Sequence, residues 1–237
     1  MQFHWAKWAG AALMTCASTQ AFAADSVRLP STVGLPSPAP MLRSIIASAP
    51  APNILGMTAQ PIRAARFSAS AKKAFADASS SPLMQQLIAP ARRLNRFQQM
   101  AYVQTRVAHN IRWVSDATEW GQHDYWASAT ETLAHGAGDE EDRAIVKLQA
   151  LKALGFSSSD LFLTLARDRV GGPITVLMTR LYGHYWVLDD TGGAPFMVEQ
   201  RRLEFQPVLS FSVSGSWVYT RPQIAPVAAA ASSVAQK

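Results

Sequence analysis

Cysteine is almost missing. The 237 residues include one, Cys16. It falls within residues 1–23, where Lys7 supplies a basic start, residues 9–14 are small or apolar, and Ala21-Phe22-Ala23 is an A-x-A cleavage signal. Residues 1–23 are therefore expected to be an export signal cut after Ala23. A lipidated Cys16 is the alternative, which Thr15 disfavours. The mature chain would then have no disulfide, no cysteine-ligated metal and no thiol nucleophile. Long apolar runs are also lacking. Thr15, Ser18, Thr19 and Gln20 interrupt the leader well short of the ~20 residues a membrane span needs. Loss of the leader removes one lysine and no acid, taking the formal charge from +6 to +5. The arginines are scattered and not interleaved with aromatics, so they read as solvated surface and exclude a nucleic-acid motif. His109, His123 and His135 lack metal-ligand spacing. Gly171-Gly172 and Gly192-Gly193 lack the strand–loop–helix context of a phosphate loop.

Proline is plentiful in one place. Residues 24–65 carry Leu35-Pro36-Ser37-Pro38-Ala39-Pro40 and Ala49-Pro50-Ala51-Pro52. That density blocks helices and sheet ladders and predicts an extended or disordered lead. Ile45, Ile46, Ile54 and Leu55 could dock locally. The folded unit is expected over residues 66–222, with an Ala-rich, frayed tail at 223–237. Short helices are expected in 66–91, broken at Ser79-Ser80-Ser81-Pro82. Phe97, Ala101, Val107 and Ile111 predict a helix of about four turns. After it comes an aromatic loop containing Trp113, Trp120, Tyr125 and Trp126. These rings must pack against the core or line a groove, and Trp120, Tyr125 and Trp126 are the candidate partner-binding residues.

The chain turns on Gly138-Asp139-Glu140-Glu141-Asp142-Arg143-Ala144. Asp139 is placed to cap a helix start, with Asp142 as the reciprocal capping carboxylate. Ile145, Leu148, Leu151 and Leu154 predict one buried face, and Gly155 ends the helix. Alternation then replaces helical spacing. Strands are expected at residues 161–166, 174–182, 184–188, 206–213 and 216–220. Helices first and antiparallel strands second is an α+β order.

These pieces, in this order, resemble the bacterial transglutaminase-like cysteine peptidase family. It is a papain-like group that includes periplasmic proteases acting on surface adhesins. The resemblance rests on Asn110-x-x-Trp113-x-x-Asp116, Trp120-Gly121, Asp124-Tyr125-Trp126-Ala127 and Glu131. It continues through Gly138-Asp139-x-Glu141-Asp142, Val187-Leu188-Asp189, Phe205-x-Pro207-Val208 and Trp217. It implies a papain-like or transglutaminase-like α+β fold. It also implies that the catalytic cysteine falls on Glu140, the histidine on Ile174 and the orienting aspartate on Asp189. Thiolate–imidazole chemistry needs the first two, so the resemblance implies a degenerate, non-catalytic member. The family's calcium ligands would be Asp139 and Glu141, with Glu140 adding a carboxylate. Implied partners are an adhesin, an inner-membrane receptor or an active paralogue.

Two enzyme readings stand beside this one. Glu140, His184 and Asp189 could form a cysteine-independent hydrolase, with His135 a second possible partner for Glu140. Alternation, however, puts His184 and Asp189 on opposite faces of their strand. Asp190-Thr191-Gly192 mimics an aspartic-protease motif, which needs two such aspartates. The chain has one, and turn chemistry explains it.

Overall fold

The structure is a computed structural model describing residues 51–63, 68–201 and 204–221. The expected export signal at residues 1–23, residues 24–50 of the expected lead, and the tail at 223–237 lie outside the described residues. Among the described residues, six α-helices and nine strands follow in order, with short 3-10 turns at Ala89–Arg93 and Ser158–Asp160. They are β1 (Thr58–Ile62), α1 (Ser68–Ala74), α2 (Pro82–Ile88), α3 (Arg96–Asn110), β2 (Arg112–Trp113), α4 (Asp116–Glu119), α5 (Ala129–His135), β3 (Ala137–Gly138) and α6 (Glu140–Ala153). The strands β4 (Leu161–Arg167), β5 (Pro173–Leu181), β6 (His184–Leu188), β7 (Phe196–Met197), β8 (Gln206–Ser212) and β9 (Gly215–Thr220) complete the chain. Seven strands form one sheet in the order β1-β9-β8-β4-β5-β6-β7, and every pairing in it is antiparallel.

One expectation for the lead is overturned. Residues 58–62 are not outside the fold: β1 pairs with β9 from Thr58 opposite Thr220 to Ile62 opposite Ser216. Pro61 is tolerated because β1 is an edge strand, where a missing N–H need not break a second ladder. Ile54, Met57 and Ala59 are buried against Trp217 and Tyr219 on the sheet.

Local chemistry accounts for the helices. Asn95 and Gln98 form a reciprocal capping box at the start of α3, an arrangement worth about 1 kcal/mol. Ser128 and Glu131 do the same for α5, and Gly136 ends it in the left-handed conformation at φ 63°. Asp139 caps α6, accepting from the Glu141 and Asp142 amides.

The expectation of a single buried face on α6 fails. Residues 141–151 are buried all round, including Arg143, Lys147 and Gln149. The helix lies between the sheet and α2, α3 and α5, so no side of it meets bulk water. Its polar residues survive because each finds a partner. Gln149, for example, donates to the Ala74 carbonyl at 2.7 Å.

The sheet is covered on both faces. Phe162, Ala166, Val176, Met178, Val187, Trp217 and Tyr219 form one cluster, with Ile174 packed on its edge. No residue of α6 belongs to that cluster, yet α6 packs on β4 and β5. The helix therefore covers the other face, carrying Leu161, Leu163, Leu165, Thr175 and Leu177. Side chains alternate across a strand, so the two sets cannot mix.

Glu131 illustrates how the front of the domain is tied together. Its carboxylate accepts from the Ser128 amide at 2.7 Å and the Tyr125 hydroxyl at 3.0 Å, and pairs with Lys73 at 3.2 Å. Burial alone would raise its pKa, but these donors outweigh it and hold the group down at about 2 instead of 4.5. A depressed acid stabilises the fold above its unfolded pKa and loses that contribution as pH falls through its folded one. Glu131→Gln should therefore lower the melting temperature at neutral pH. The gap to the parent should close between pH 4.5 and 2. A gap that ignores pH would contradict this.

Candidate functional site

The site gathers at the N-terminus of α6. The short parallel pair β2–β3 brings it together: the Arg112 amide donates to Gly136 O at 2.9 Å and the Val114 amide to Gly138 O at 3.2 Å. That pairing sets the loop containing Asp116 beside the helix start. Asp116, Asp139 and Asp142 are all buried, and one carboxylate oxygen of each lies within 4.8 Å of the others. Asp116 accepts from the Tyr125 amide at 2.7 Å, and Asp142 Oδ1 from the Ala127 amide at 2.7 Å. Asp139 Oδ1 accepts from Glu141 at 3.2 Å. Gly138 must be glycine, since a Cβ there would sit 2.7 Å from Asp142 Cβ and 2.8 Å from its Oδ2.

Asp142 departs from the expected role. It does not close a capping box; its carboxylate turns to Ala127 instead. Asp142 Oδ2 is buried without a hydrogen-bond partner. Burial first, then the charges of Asp139, Asp116 and Glu119, push its pKa up to about 8, against the pull of the Ala127 amide. Two unit charges at this separation repel by about 3–4 kcal/mol at an effective dielectric of about 20. A helix terminus returns only ~0.3–1 kcal/mol per charge, up to ~2 when partly buried. Three ionised carboxylates in this space repel one another, and a proton or a cation there would relieve that repulsion. The donors are all hard carboxylate oxygens, the type calcium takes, and Asp142 Oδ2 is unused by the protein. The residues present fit such an ion.

Asp139, Glu140 and Glu141, the set expected from the sequence, also bring one oxygen each within 4.8 Å. Glu140, however, is only half-buried, whereas the Asp116–Asp139–Asp142 group is enclosed. Asp116 was not selected from the sequence as a ligand. Its place in Asn110-x-x-Trp113-x-x-Asp116 was the available signal, but only the β2–β3 contact brings it to α6.

Behind Glu140 lies a second charged group. Arg143 Nη1 meets Asp190 Oδ2 at 2.5 Å, and its other nitrogen donates to Ala108 O at 3.1 Å. Lys147 Nζ donates to the Asp189 carbonyl at 2.5 Å and lies 3.8 Å from Asp190 Oδ1. Gln104 donates to the Asp189 carboxylate at 2.9 Å. Burial pushes Lys147 down to about 8, opposed by Asp190. Burial also pushes Asp190 up to about 6, opposed by Lys147 and Arg143. Glu140, Arg143 and Lys147 recur at helical spacing and so share a stripe on α6. That periodicity could have revealed them in the sequence.

The remaining expected site residues fare unevenly. Asp189 follows the end of β6 and is held against α6 by Lys147. Ile174 lies on the sheet face away from α6, so the fold does not bring its side chain to Glu140. His184 opens β6 at the opposite end from Asp189 and is exposed, about 16 Å away at ~3.3 Å per residue. The Glu140–His184–Asp189 arrangement is therefore not assembled. His135 is engaged elsewhere, with Nδ1 3.2 Å from Glu119 and its ring stacked on Trp120 at 4.6 Å. Asp190 is consumed by its ion pairs, which removes the aspartic-protease reading. Trp126 is 3% exposed and packs edge-on against Phe211, so it is core and not a partner anchor. Trp120 and Tyr125 are half-buried and stack on each other at 4.8 Å.

A central helix whose N-terminus abuts an antiparallel sheet, with the end of a strand held against it, defines the papain-like class of α+β proteins. Within that class the chain belongs to the bacterial transglutaminase-like cysteine proteinases (BTLCP), whose family profile matches residues 54–223. Among solved structures, calcium-bound LapG of Legionella pneumophila is 26% identical. The match covers 57% of this chain and 75% of that one, with a TM-score of 0.50. EGTA-treated LapG of the same organism matches at 26% identity, 57% and 73% coverage, and a TM-score of 0.49. No curated protein matches the chain.

Arg143 and Asp190 should depend on each other. Arg143→Met leaves a largely buried carboxylate without its closest cation and should cost about 3 kcal/mol in urea unfolding. Adding Asp190→Asn should recover a large part of that loss. Strictly additive single losses would contradict the pairing.

Proposed function

We propose that this protein is a non-catalytic, calcium-binding member of its family that keeps the fold as a binding or regulatory module. The observation carrying this reading is the residue at position 140. A glutamate begins the central helix at the position to which the resemblance assigns the family's nucleophile, and the sequence has no cysteine after residue 16. A carboxylate there cannot supply the thiolate that the family's chemistry needs. The carboxylate cluster survives beside it, and LapG of this family has a calcium-bound structure.

In this reading Asp116, Asp139 and Asp142 hold the ion. Calcium supplies a positive charge that cancels their repulsion and pins the 113–127 loop to α6. Half-buried Glu140 and buried Glu141 follow Asp139 in the first turn of the helix. The implied setting is the periplasm, reached through the export signal. Among the described residues no helix is long and apolar enough to cross a membrane. The partner class is the one implied by the family: an adhesin segment, its inner-membrane receptor, or an active paralogue whose substrate this chain holds without cutting.

Calorimetric titration of EGTA-treated protein with calcium tests the first part. Saturable heat and a raised melting temperature are expected, both lost in Asp142→Asn and weakened in Asp116→Asn. Neither heat nor a melting shift at millimolar calcium would sink the proposal. Incubation with the protein substrate of an active family member should give no cleavage in calcium or in chelator; cleavage would restore the enzyme reading.

A further inference from the structure

We infer that the groove between α2, α3 and α5 is a docking site for an acidic polypeptide segment that carries a large apolar side chain. The groove is separate from the carboxylate cluster. It gives a chemistry to the partner of the binding-module reading, and rests on that reading in this respect alone. Shape and charge carry the inference.

Leu83 and Leu87 on α2, Arg106 and Asn110 on α3, Ile111 just beyond it, and Leu133 on α5 line a groove of about 190 Å³. Leu87 and Ile111 are buried and form its floor. Leu83 is 42% exposed, although Met84, Leu87 and Ile88 of the same helix are in the core. Arg106 and Asn110 are four residues apart on α3, so they share one face and bring polar groups to the rim. Pockets that enclose a small-molecule ligand hold ~300–1,000 Å³. This groove is smaller than that and suits one apolar side chain inserted from a partner.

The charge around it has one sign. Between residues 78 and 115 the sequence has five arginines, at 92, 93, 96, 106 and 112, and no aspartate or glutamate. Arg92 and Arg96 donate to uncharged oxygens, those of Gln85 and Gln99 and the carbonyls of Leu154 and Gly155. Among the described residues none of the five forms an ion pair with a carboxylate. The nearest acids along the chain are engaged or enclosed. Asp77 pairs with Lys152, Asp116 is buried, and Glu131 of α5 pairs with Lys73. The face therefore attracts a negative partner and repels a basic one. The chain's own ends do not complement it. Residues 24–50 contain one acid, Asp25, against Arg28 and Arg43, and residues 222–237 contain none. A separate acidic chain is the occupant these charges select.

The probe is a library of random linear peptides displayed on phage and selected on the full chain in EGTA. Enriched sequences should combine aspartate or glutamate with leucine, isoleucine, phenylalanine or methionine. The leading peptide, labelled with fluorescein, is then titrated by anisotropy. Arg106→Glu and, separately, Leu83→Ser should each weaken it by roughly ten-fold or more, the first through charge and the second through lost apolar contact. Both side chains are exposed, so each variant should keep the parent's melting temperature. None of Asp116, Asp139 and Asp142 lines the groove, so the affinity should be equal in calcium, in EGTA and in Asp142→Asn.

Enrichment of basic or uncharged peptides, no enrichment, or a leading peptide that both variants bind as tightly as the parent overturns the inference. An affinity that requires calcium overturns it too, by placing the peptide at the carboxylate cluster. Arg106-dependent binding to phosphatidylglycerol vesicles that the peptide does not displace would make the face a membrane surface instead. A dimer in sedimentation that Arg106→Glu dissolves would make the occupant a second copy. Peptide binding as expected, with no heat from calcium, would sink the calcium reading and leave this one standing.

Discussion

Three carboxylates held in one dry space set the terms for this half of the protein. Asp116, Asp139 and Asp142 come from two separate segments, and their mutual repulsion would drive those segments apart. The β2–β3 pairing, the backbone donors at Tyr125 and Ala127, and the amides at the start of α6 hold them in place. Those donors saturate one oxygen of Asp142 and leave the other inside the protein with nothing to bind. A neutralising proton or cation would relieve that repulsion. The loop's position against the helix and the site's capacity for an ion therefore have one physical origin.

The second buried charge group behaves differently. Arg143 and Lys147 face Asp189 and Asp190 with matched signs, so this network needs no outside ion. It fastens the first turns of α6 to the end of β6. Breaking one member leaves a buried unpaired charge, so such a network specifies one arrangement strongly even where its net stabilisation is small.

Much of this was legible in the chain. The cap at Asp139, the helix after it, the stop at Gly155 and five of the sheet's strands follow from residue spacing and turn chemistry, which are local. β1 was hidden by its proline-rich surroundings, because edge position alone makes Pro61 acceptable and an edge is defined by the whole sheet. Burial of α6 on every side was hidden too. Its polar residues look solvent-facing until Ala74, Ala108 and Asp189 are brought beside them.

Composition and order by themselves determined the α+β class, the absence of a thiol after residue 16, and the glutamate that opens the central helix. These depend on which residues are present and on short-range periodicity. Tertiary structure alone decided that Asp116 joins Asp139 and Asp142, that Trp126 belongs to the core, and that Ile174 turns away from α6 while Thr175 turns toward it. Each of those depends on strand register or on contacts between distant segments. A shift of one residue in a strand exchanges its two faces, and no local pattern in residues 173–177 states which face the helix covers.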